Sequence, residues 1–518
     1  MKFAAKWCRS LQMTAVGAVI LALSGFLPGL AEQRCHARGF GERDYLAELN
    51  APILEITPKN KSYETYFNAW VKLDLGDSRA PISRDALQFG STTLADAVAW
   101  VSEPSQRAAL DLLLDSDGAN PNVTFRRVLG LPYGTRDIPT DMDSNGFAVY
   151  INGDLISETD FAYLPLYGQI ELTLMANAQY EVSRGNTSAA VNSLIACLRM
   201  GRQLCDRAYR TEMEMGMTHV IETMLEIRTF LWNYRDTLAV DDMKKIAEEL
   251  ELLGLGGIKP PRAHELVGEQ ITEKIFGKDL RPDREVFAQM MARFESREHP
   301  LDRFSATAKW RDLMTQHATY NETVAELEAV AGDIRLRWRF AFNDPSFDRL
   351  PEIRKISPLK YAIPRAVFKG IEDIFPLRHV MISHQHGIIC AAGVAAYQKN
   401  EGGKLVPGER AEFAPIALKQ IQPAFILSEE MLQDPQDAER GRYHYLVVTN
   451  REKIRTNILK DFTINTQYGS VRLIEGWPIL YSVGWDGDDD EAKTHTDSRD
   501  GDGDFIYWPV VEVMARER

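Results

Sequence analysis

Two strand-like segments near the end of the chain flank an acidic loop: Leu480-Tyr-Ser-Val-Gly-Trp-Asp-Gly-Asp-Asp-Asp490 is followed by Asp500-Gly-Asp-Gly-Asp504-Phe-Ile-Tyr-Trp508. Glycine between the aspartates permits sharp turns, and apolar or aromatic residues stand on either side. A helical pattern precedes them, and further short strands are predicted, so that the elements are a helix at 372–399 and strands at 442–449, 470–474, 479–483 and 505–511. The sequence therefore predicts a C-terminal long helix packed on a small antiparallel sheet.

The middle of the chain is helical in pattern from about Gln169 to Arg339. One buried helix face shows in the i, i+3, i+4, i+7 spacing of seven apolar residues: Met213, Met217, Val220, Ile221, Met224, Leu225 and Leu231. Residues 176–185 and 189–204 form a helical hairpin pattern, loosely similar to a tetratricopeptide unit, but no second copy follows at a fixed period. We therefore predict the α+β class, with a large mostly helical region before the C-terminal helix and sheet.

The length of 518 residues is enough for two to four domains. Turn clusters, prolines and the change from helical to strand-like pattern suggest the boundaries. The predicted organisation is a targeting segment (1–31), a mixed α/β N-terminal region (32–150), a helical scaffold (151–343), a proline-rich linker (344–370) and an α+β domain with the Asp-rich loop (371–518).

The first 31 residues are typical of an export signal. Lys2, Lys6 and Arg9 form a positive start, an apolar run covers 14–27, and a Pro-Gly break precedes the small residue Ala31. The segment predicts a cleaved signal peptide, with a retained N-terminal membrane anchor as the alternative. The expected location is outside the cytoplasm, in the periplasm or associated with the cell envelope.

The charge balance argues against a nucleic-acid partner. The formal net charge is −14, whereas binding to phosphates requires surfaces rich in Lys and Arg. Much of the acid excess is local, because residues 484–504 contain nine acidic residues against Lys493 and Arg499. The acid excess is therefore in large part a property of one loop.

That loop has the composition of a hard-cation site. Ca²⁺ prefers six to eight oxygen ligands and tolerates irregular geometry, and closely spaced carboxylates repel one another unless a cation joins them. The loop is not an EF-hand, because Glu491 occupies the position of the required glycine and strands flank it. The alternative is a solvated acidic loop that binds nothing specific.

Residues 372–512 resemble the globular domain of type II secretion major pseudopilins, an arrangement that also ends a group of uncharacterised bacterial envelope proteins. The resemblance rests on these features in order: Ala395-Ala396-Tyr397 followed by Gly402 and Pro407, Asp434-Pro435, Arg442-Tyr443 with Tyr445, Leu480 to Gly487, and Asp502 to Ile506. It covers about a quarter of the chain. It implies that the acidic loop is similar to the calcium-binding loop of that family, with Asp486, Asp488, Asp500, Asp502 and Asp504 as the ligands.

The N-terminus departs from the pseudopilin pattern. In pseudopilins the prepilin leader is cut between Gly and Phe, and Glu stands at the fifth position of the mature chain. Here a cut between Gly25 and Phe26 would place Leu30 at the fifth position. The apolar run also precedes this pair instead of following it. We therefore do not expect assembly into a pilus through an N-terminal hydrophobic helix.

Other motifs give weaker indications of chemistry. His379, His384 and His386 lie on the last predicted helix without a nearby carboxylate, which makes a poor metal site and favours a partly buried or solvent-lining role. Cys197 and Cys205 are eight residues apart in one helical pattern, too far to form a disulfide with each other, and are expected to be buried. The chain contains no nucleophile elbow, phosphate-binding loop or dinucleotide-binding glycine motif.

Three functional hypotheses follow. The first is an exported, non-catalytic envelope scaffold or secretion- or pilus-associated protein, with a calcium-stabilised C-terminal domain and envelope or secretion-system proteins as partners. The second is an envelope hydrolase whose histidine and carboxylates come together in the helical region. The third is a helical, tetratricopeptide-like adaptor in which the acidic loop is merely solvated. We expect the protein not to be an enzyme.

Overall fold

The computed structural model describes residues 43–73, 94–115, 128–295, 303–400, 432–448, 462–473, 477–496 and 503–516, apart from positions 279, 341–343, 345, 348, 438–440, 442 and 485. The targeting segment, residues 1–31, lies outside the described residues, and its export role stays a prediction.

The described chain is mostly helical, at 62%, with a small antiparallel sheet near the C-terminus. This confirms the predicted class at that level. The helices are α1 Tyr45–Leu54, α2 Tyr63–Lys72, α3 Leu94–Val101, α4 Pro104–Asp115, α5 Thr140–Ser144, α6 Tyr163–Ser183, α7 Thr187–Cys205, α8 Arg210–Asn233, α9 Val240–Leu252, α10 Ala263–Phe276, α11 Arg284–Glu295, α12 Arg303–Leu313, α13 Tyr320–Arg337, α14 Glu352–Lys355, α15 Ala362–Val367, α16 Ile374–Asn400 and α17 Val511–Arg516.

In the described parts of the chain the strands pair antiparallel in three small sheets. They are β1 Tyr150–Ile151, β2 Thr159–Asp160, β3 His444–Val447, β4 Phe462–Thr466, β5 Gly469–Leu473, β6 Pro478–Ser482 and β7 Phe505–Trp508. The strand orders are β1-β2, β4-β5 and β3-β6-β7. The three-stranded sheet sets Tyr445 opposite Leu480 and Ser482 opposite Phe505, so β6 is its centre and the Asp-rich loop joins its two last strands.

The described residues divide into two compact units. Those of the larger unit fall within 46–264, 333–351 and 368–518, and those of the smaller unit fall within 1–45, 265–332 and 352–367. In the smaller unit α11 and α12 pack side by side, and Arg311 forms a two-pronged contact with Glu285. Within the segment predicted as a linker, the structure forms α14 and α15, with Ile353 and Ile363 buried.

The helical core of the larger unit is built from α6, α7 and α8, which pack on one another in sequence order. Helices α7 and α8 approach closely at glycine: a Cβ added at Gly216 would lie 2.7 Å from the carbonyl oxygen of Gly201. The predicted apolar stripe of α8 is buried except at Leu225, which is partly exposed, and Met213, Met217 and Met224 are fully buried. Cys197 and Cys205 are also buried as free thiols, as the sequence predicted.

Helix α16 links the helical core to the sheet of the same unit. It packs on α8 and α9 and also on β6 and β7, and it is buried along nearly all of its length from Ile374 to Ala396. At Gly387 the helix leaves room for the ring of Tyr507, whose atoms would lie 2.4–2.5 Å from an added Cβ. Aromatic rings also connect the helical core with the three-stranded sheet, because Trp232 of α8 packs edge-on against Trp508 of β7.

Some element boundaries differ from the sequence pattern. Residues 94–115 form two helices, α3 and α4, instead of one, because Pro104 begins a new helix and cannot continue the previous one. The last strand ends at Trp508 instead of 511, since Pro509 follows and α17 begins at Val511. Strand β4 was not predicted, and its Ile464 joins Val471, Ile479 and Ile506 in one apolar cluster.

Candidate functional site

The Asp-rich loop leaves β6 and returns to β7 through a narrow neck of two glycines. Gly484 has a φ of +75°, and a Cβ at that position would lie 2.1 Å from the carbonyl oxygen of Gly503. Only glycine allows this backbone-to-backbone approach in a left-handed conformation. At this neck the residue that begins the loop, Gly484, lies against Gly503 near the end of the loop.

Two of the predicted ligands organise the backbone of this neck. The Asp486 carboxylate accepts a hydrogen bond from the Gly503 N–H (2.9 Å) and another from the Asp488 N–H (3.1 Å). The Asp504 carboxylate, which is fully buried, accepts from the N–H groups of Ala492 (2.7 Å) and Asp490 (3.4 Å). These carboxylates therefore bind the loop to itself across sequence separations of 12–17 residues.

The electrostatics of Asp504 reflect its burial. Desolvation raises the pKa of its carboxyl group to about 8, and the neighbouring Asp489 and Asp490 add to the rise, while the two N–H donors oppose it. Asp488, in contrast, is exposed. The structure brings Asp486 and Asp504 to the same neck. Asp500 and Asp502 lie outside the described residues.

A buried histidine, which the sequence analysis did not single out, lies beside the loop. The Nε2 atom of His444 on β3 is 3.1 Å from Asp437, and its Nδ1 atom is 3.5 Å from Asp489. The Tyr481 hydroxyl of β6 donates to the other oxygen of Asp489 (3.1 Å). Asp489 therefore ties the loop to β3 and β6. No spacing in the sequence signals this arrangement, because its members come from three separate segments.

The three histidines of α16 do not converge. His379 lies 3.2 Å from the carbonyl oxygen of Phe340, His384 lies 3.0 Å from the Tyr507 hydroxyl, and His386 lies 3.1 Å from the carbonyl oxygen of Gln433. All three are buried, and desolvation lowers the pKa of His379 to about 4. They are packing and hydrogen-bonding residues of the helix, rather than a shared site.

Two charged clusters lie inside the helical region. Glu212 is fully buried and is surrounded by Arg207 (2.8 Å) and by the hydroxyls of Tyr133 (2.8 Å) and Tyr163 (2.6 Å). Burial raises the pKa of both tyrosines well above the ordinary value, so both remain hydrogen-bond donors. This set satisfies a buried carboxylate from three elements and is typical of a structural network.

The second cluster pairs His219 with Glu171, the histidine Nδ1 lying 2.9 Å from the carboxylate. Both side chains are buried. Among the residues that the structure describes, no group of three or more His, Cys, Asp or Glu side chains is arranged to hold a metal ion. Within the same residues, no helix combines the length and apolar character needed to cross a bilayer.

Comparisons with known proteins add no relative. No protein family, no curated protein and no solved structure matches the chain.

Proposed function

We propose that the protein is an exported, non-catalytic cell-envelope scaffold whose pseudopilin-like C-terminal domain is stabilised by Ca²⁺ and contacts envelope or secretion-system proteins. The observation that carries this proposal is the burial of α16 between the helical core and the sheet that bears the Asp-rich loop. This packing supports the scaffold part of the proposal, because it fixes the sheet on the helical core.

The non-catalytic part of the proposal is supported by where the polar groups lie. Glu212 and Arg207 are buried and bonded to each other, and the histidines of α16 are buried among backbone and hydroxyl partners. The hydrolase alternative has a histidine–carboxylate pair in the helical region, His219 with Glu171, but both are more than nine-tenths buried. We therefore rank it second. The third alternative, a helical adaptor with a solvated loop, is the outcome if the loop binds no cation.

The pseudopilin-like part is supported by the order of elements. Long helix, Asp-Pro turn, strand, acidic loop and closing strand follow one another as the resemblance implies. Two backbone hydrogen bonds of Gly441 close the turn that begins at Asp434-Pro435. The Asp434 N–H donates to the Gly441 carbonyl oxygen, and the Gly441 N–H donates to the Asp437 carbonyl oxygen. Tyr443 after this turn is buried.

The donor set has the chemistry that Ca²⁺ prefers. Asp486, Asp488, Asp500, Asp502 and Asp504 would hold the ion by carboxylate oxygens, and a bound ion would neutralise their mutual repulsion. The three described members do not suffice for a site on their own. The proposal therefore depends on Asp500 and Asp502, which come between the two parts of the loop that the neck brings together.

The test is the thermal stability of the full chain with Ca²⁺ and with a chelator. An ion that binds only the folded state stabilises it by about 2.7 kcal/mol at 100 times its Kd, so the melting temperature should rise on adding Ca²⁺. Asp486→Ala together with Asp502→Ala should abolish the rise. Glu251→Ala, at an exposed acid of α9 far from the loop in sequence, is the matched control and should keep it. Identical melting curves with Ca²⁺ and with chelator would remove the calcium claim.

A further inference from the structure

Two side chains bind the backbone of Ile506 on the edge of β7 that faces away from β6. Strand β7 pairs with β6 on one side. The backbone carbonyl oxygen of Ile506 accepts a hydrogen bond from Nη1 of Arg228 (2.9 Å), and the backbone N–H of the same residue donates to Nδ1 of His495 (3.1 Å). Arg228 belongs to α8 of the helical core, and His495 to the returning part of the Asp-rich loop. Core and loop therefore bind the two backbone polar groups of one residue, Ile506.

A single carboxylate joins these two side chains. Oε1 of Glu512 on α17 lies 2.5 Å from Nη2 of Arg228 and 2.8 Å from Nε2 of His495. Because Nδ1 of His495 accepts the Ile506 N–H, the ring of a neutral His495 carries its proton on Nε2, the nitrogen nearest to Glu512. All three residues are buried, and Arg228 and His495 hold the pKa of Glu512 well below its usual range.

From this cluster the contacts continue directly to the neck of the loop. The Asp504 N–H donates to the carbonyl of Thr494 (2.9 Å), and the Thr496 N–H donates to the carbonyl of Asp504 (3.1 Å), so His495 lies between the two residues that hold Asp504. The guanidinium of Arg228 also lies over the ring of Phe505, 4.8 Å from its centre. Arg228 is therefore linked to Asp504 through Phe505, its neighbour in sequence, and through His495.

We infer that Arg228, Glu512 and His495 form a latch that positions the returning part of the Asp-rich loop, so that the conformation of the loop is coupled to the packing of β7 on the core helix α8. Insofar as the loop binds Ca²⁺, which rests on the proposed function, the coupling is reciprocal: ion binding strengthens the docking of β7 on α8, and docking strengthens ion binding. Arg228 and Glu512 are then positioning residues that touch no ligand.

The test is amide hydrogen exchange of the full chain, comparing loop amides with core amides. Removing one partner of a buried ion pair is strongly destabilising, so Arg228→Met should speed exchange at Ala492, Asp504 and Thr496 by roughly 100-fold or more. Amides inside α7 should change much less. Glu214→Gln is the matched control, since Glu214 forms a partly exposed i,i+4 pair with Arg210 on the same helix and contributes little. Exchange in this control should match the wild type throughout.

Milder variants keep the test valid if Arg228→Met fails to fold. Glu512→Gln keeps the shape and removes the charge, and Arg228→Lys keeps the charge and removes the two-pronged contact. Either should speed exchange in the loop more than in α7. Equal acceleration in loop and α7 would reduce the cluster to a general stability element, and unchanged loop exchange would overturn the latch outright.

The calcium arm separates this inference from the proposed function. With Ca²⁺ the wild type should gain thermal stability and Glu512→Gln should gain clearly less. If the melting temperature of the wild type does not change with Ca²⁺, the calcium claim is wrong. The exchange data still test whether Arg228, Glu512 and His495 act as a latch. A full calcium response in Glu512→Gln, together with fast loop exchange, would show that latch and ion site are independent and would overturn the coupling.

Discussion

Gly387 is the position where α16 admits the Tyr507 ring, and Gly387→Ala tests how tightly the sheet is packed on the helix. An alanine Cβ would meet three ring carbons of Tyr507 at 2.4–2.5 Å. The ring has little freedom to withdraw, because Tyr507 is fully buried, its hydroxyl lies 3.0 Å from His384, and the ring of Phe505 lies 4.7 Å away.

The magnitude follows from the distance to be gained. Carbon atoms in ordinary contact are about 3.5–4.0 Å apart, so helix and strand must separate by roughly 1 Å at this point. Overpacking of this kind costs about 1–3 kcal/mol and occasionally more, against a helix-propensity gain of roughly 0.5–1 kcal/mol from replacing glycine. We expect a net loss of about 0.5–2 kcal/mol, which corresponds to roughly 1–2 °C in melting temperature for a unit of this size, because the unfolding entropy is about 2.1 cal/mol/K per residue.

The assay is thermal and urea unfolding of Gly387→Ala, compared with an alanine substitution at a glycine that has space for a Cβ. Gly168→Ala lies inside α6 of the same unit, where the nearest atom to an added Cβ is the flexible end of Met215 at 3.9 Å, so it should match or exceed the wild-type stability. Combining Gly387→Ala with Tyr507→Leu should cost less than the two single changes together, because the smaller side chain makes room. Wild-type stability in Gly387→Ala, or strict additivity in the double variant, would refute the packing argument.

Two further predictions concern other parts of the larger unit. Gly216→Ala places a Cβ 2.7–2.8 Å from backbone atoms of α7 and should lower the free energy of unfolding by about 1–3 kcal/mol in urea titrations; an unchanged midpoint would contradict the close crossing. Burial raises the pKa of Asp434 from 3.8 to about 6, so the folded chain keeps a proton that the unfolded chain has lost, and this group makes stability fall as pH rises from about 4 to about 6. Asp434→Asn should flatten that part of the stability–pH curve, and an unaltered slope would count against the buried acid.

Local patterns in the sequence carried much of the fold. The apolar stripe of α8 and the helical pattern of α16 were both readable, since spacing along one helix records which face is buried. Strands β5 and β6 also lie where alternation predicts them. The division between α3 and α4 could have been foreseen from Pro104, whereas β4 could not, because only its central Ile464 is fully buried and its neighbours face outward.

The candidate site was readable only in part. Asp486 and Asp504 stood out by composition, and the structure gives each a definite partner in the loop backbone. Arg228, His444 and Glu512 did not stand out, because each is an ordinary residue in its own segment and gains its role from partners far away in sequence. Single-sequence patterns report periodicity and local spacing, and they carry no information on which distant polar groups will be buried together.

The contact of Arg228 with Ile506 and Glu512 spans 278 and 284 positions of the chain, and this has a consequence for how the protein is made. Helix α8 emerges from the ribosome long before the segment that covers it. Until residues 505–512 have been made, Arg228 lacks the ring, the carbonyl oxygen and the carboxylate that surround it in the folded chain. The final packing around this side chain of α8 is therefore completed only after those residues have left the ribosome.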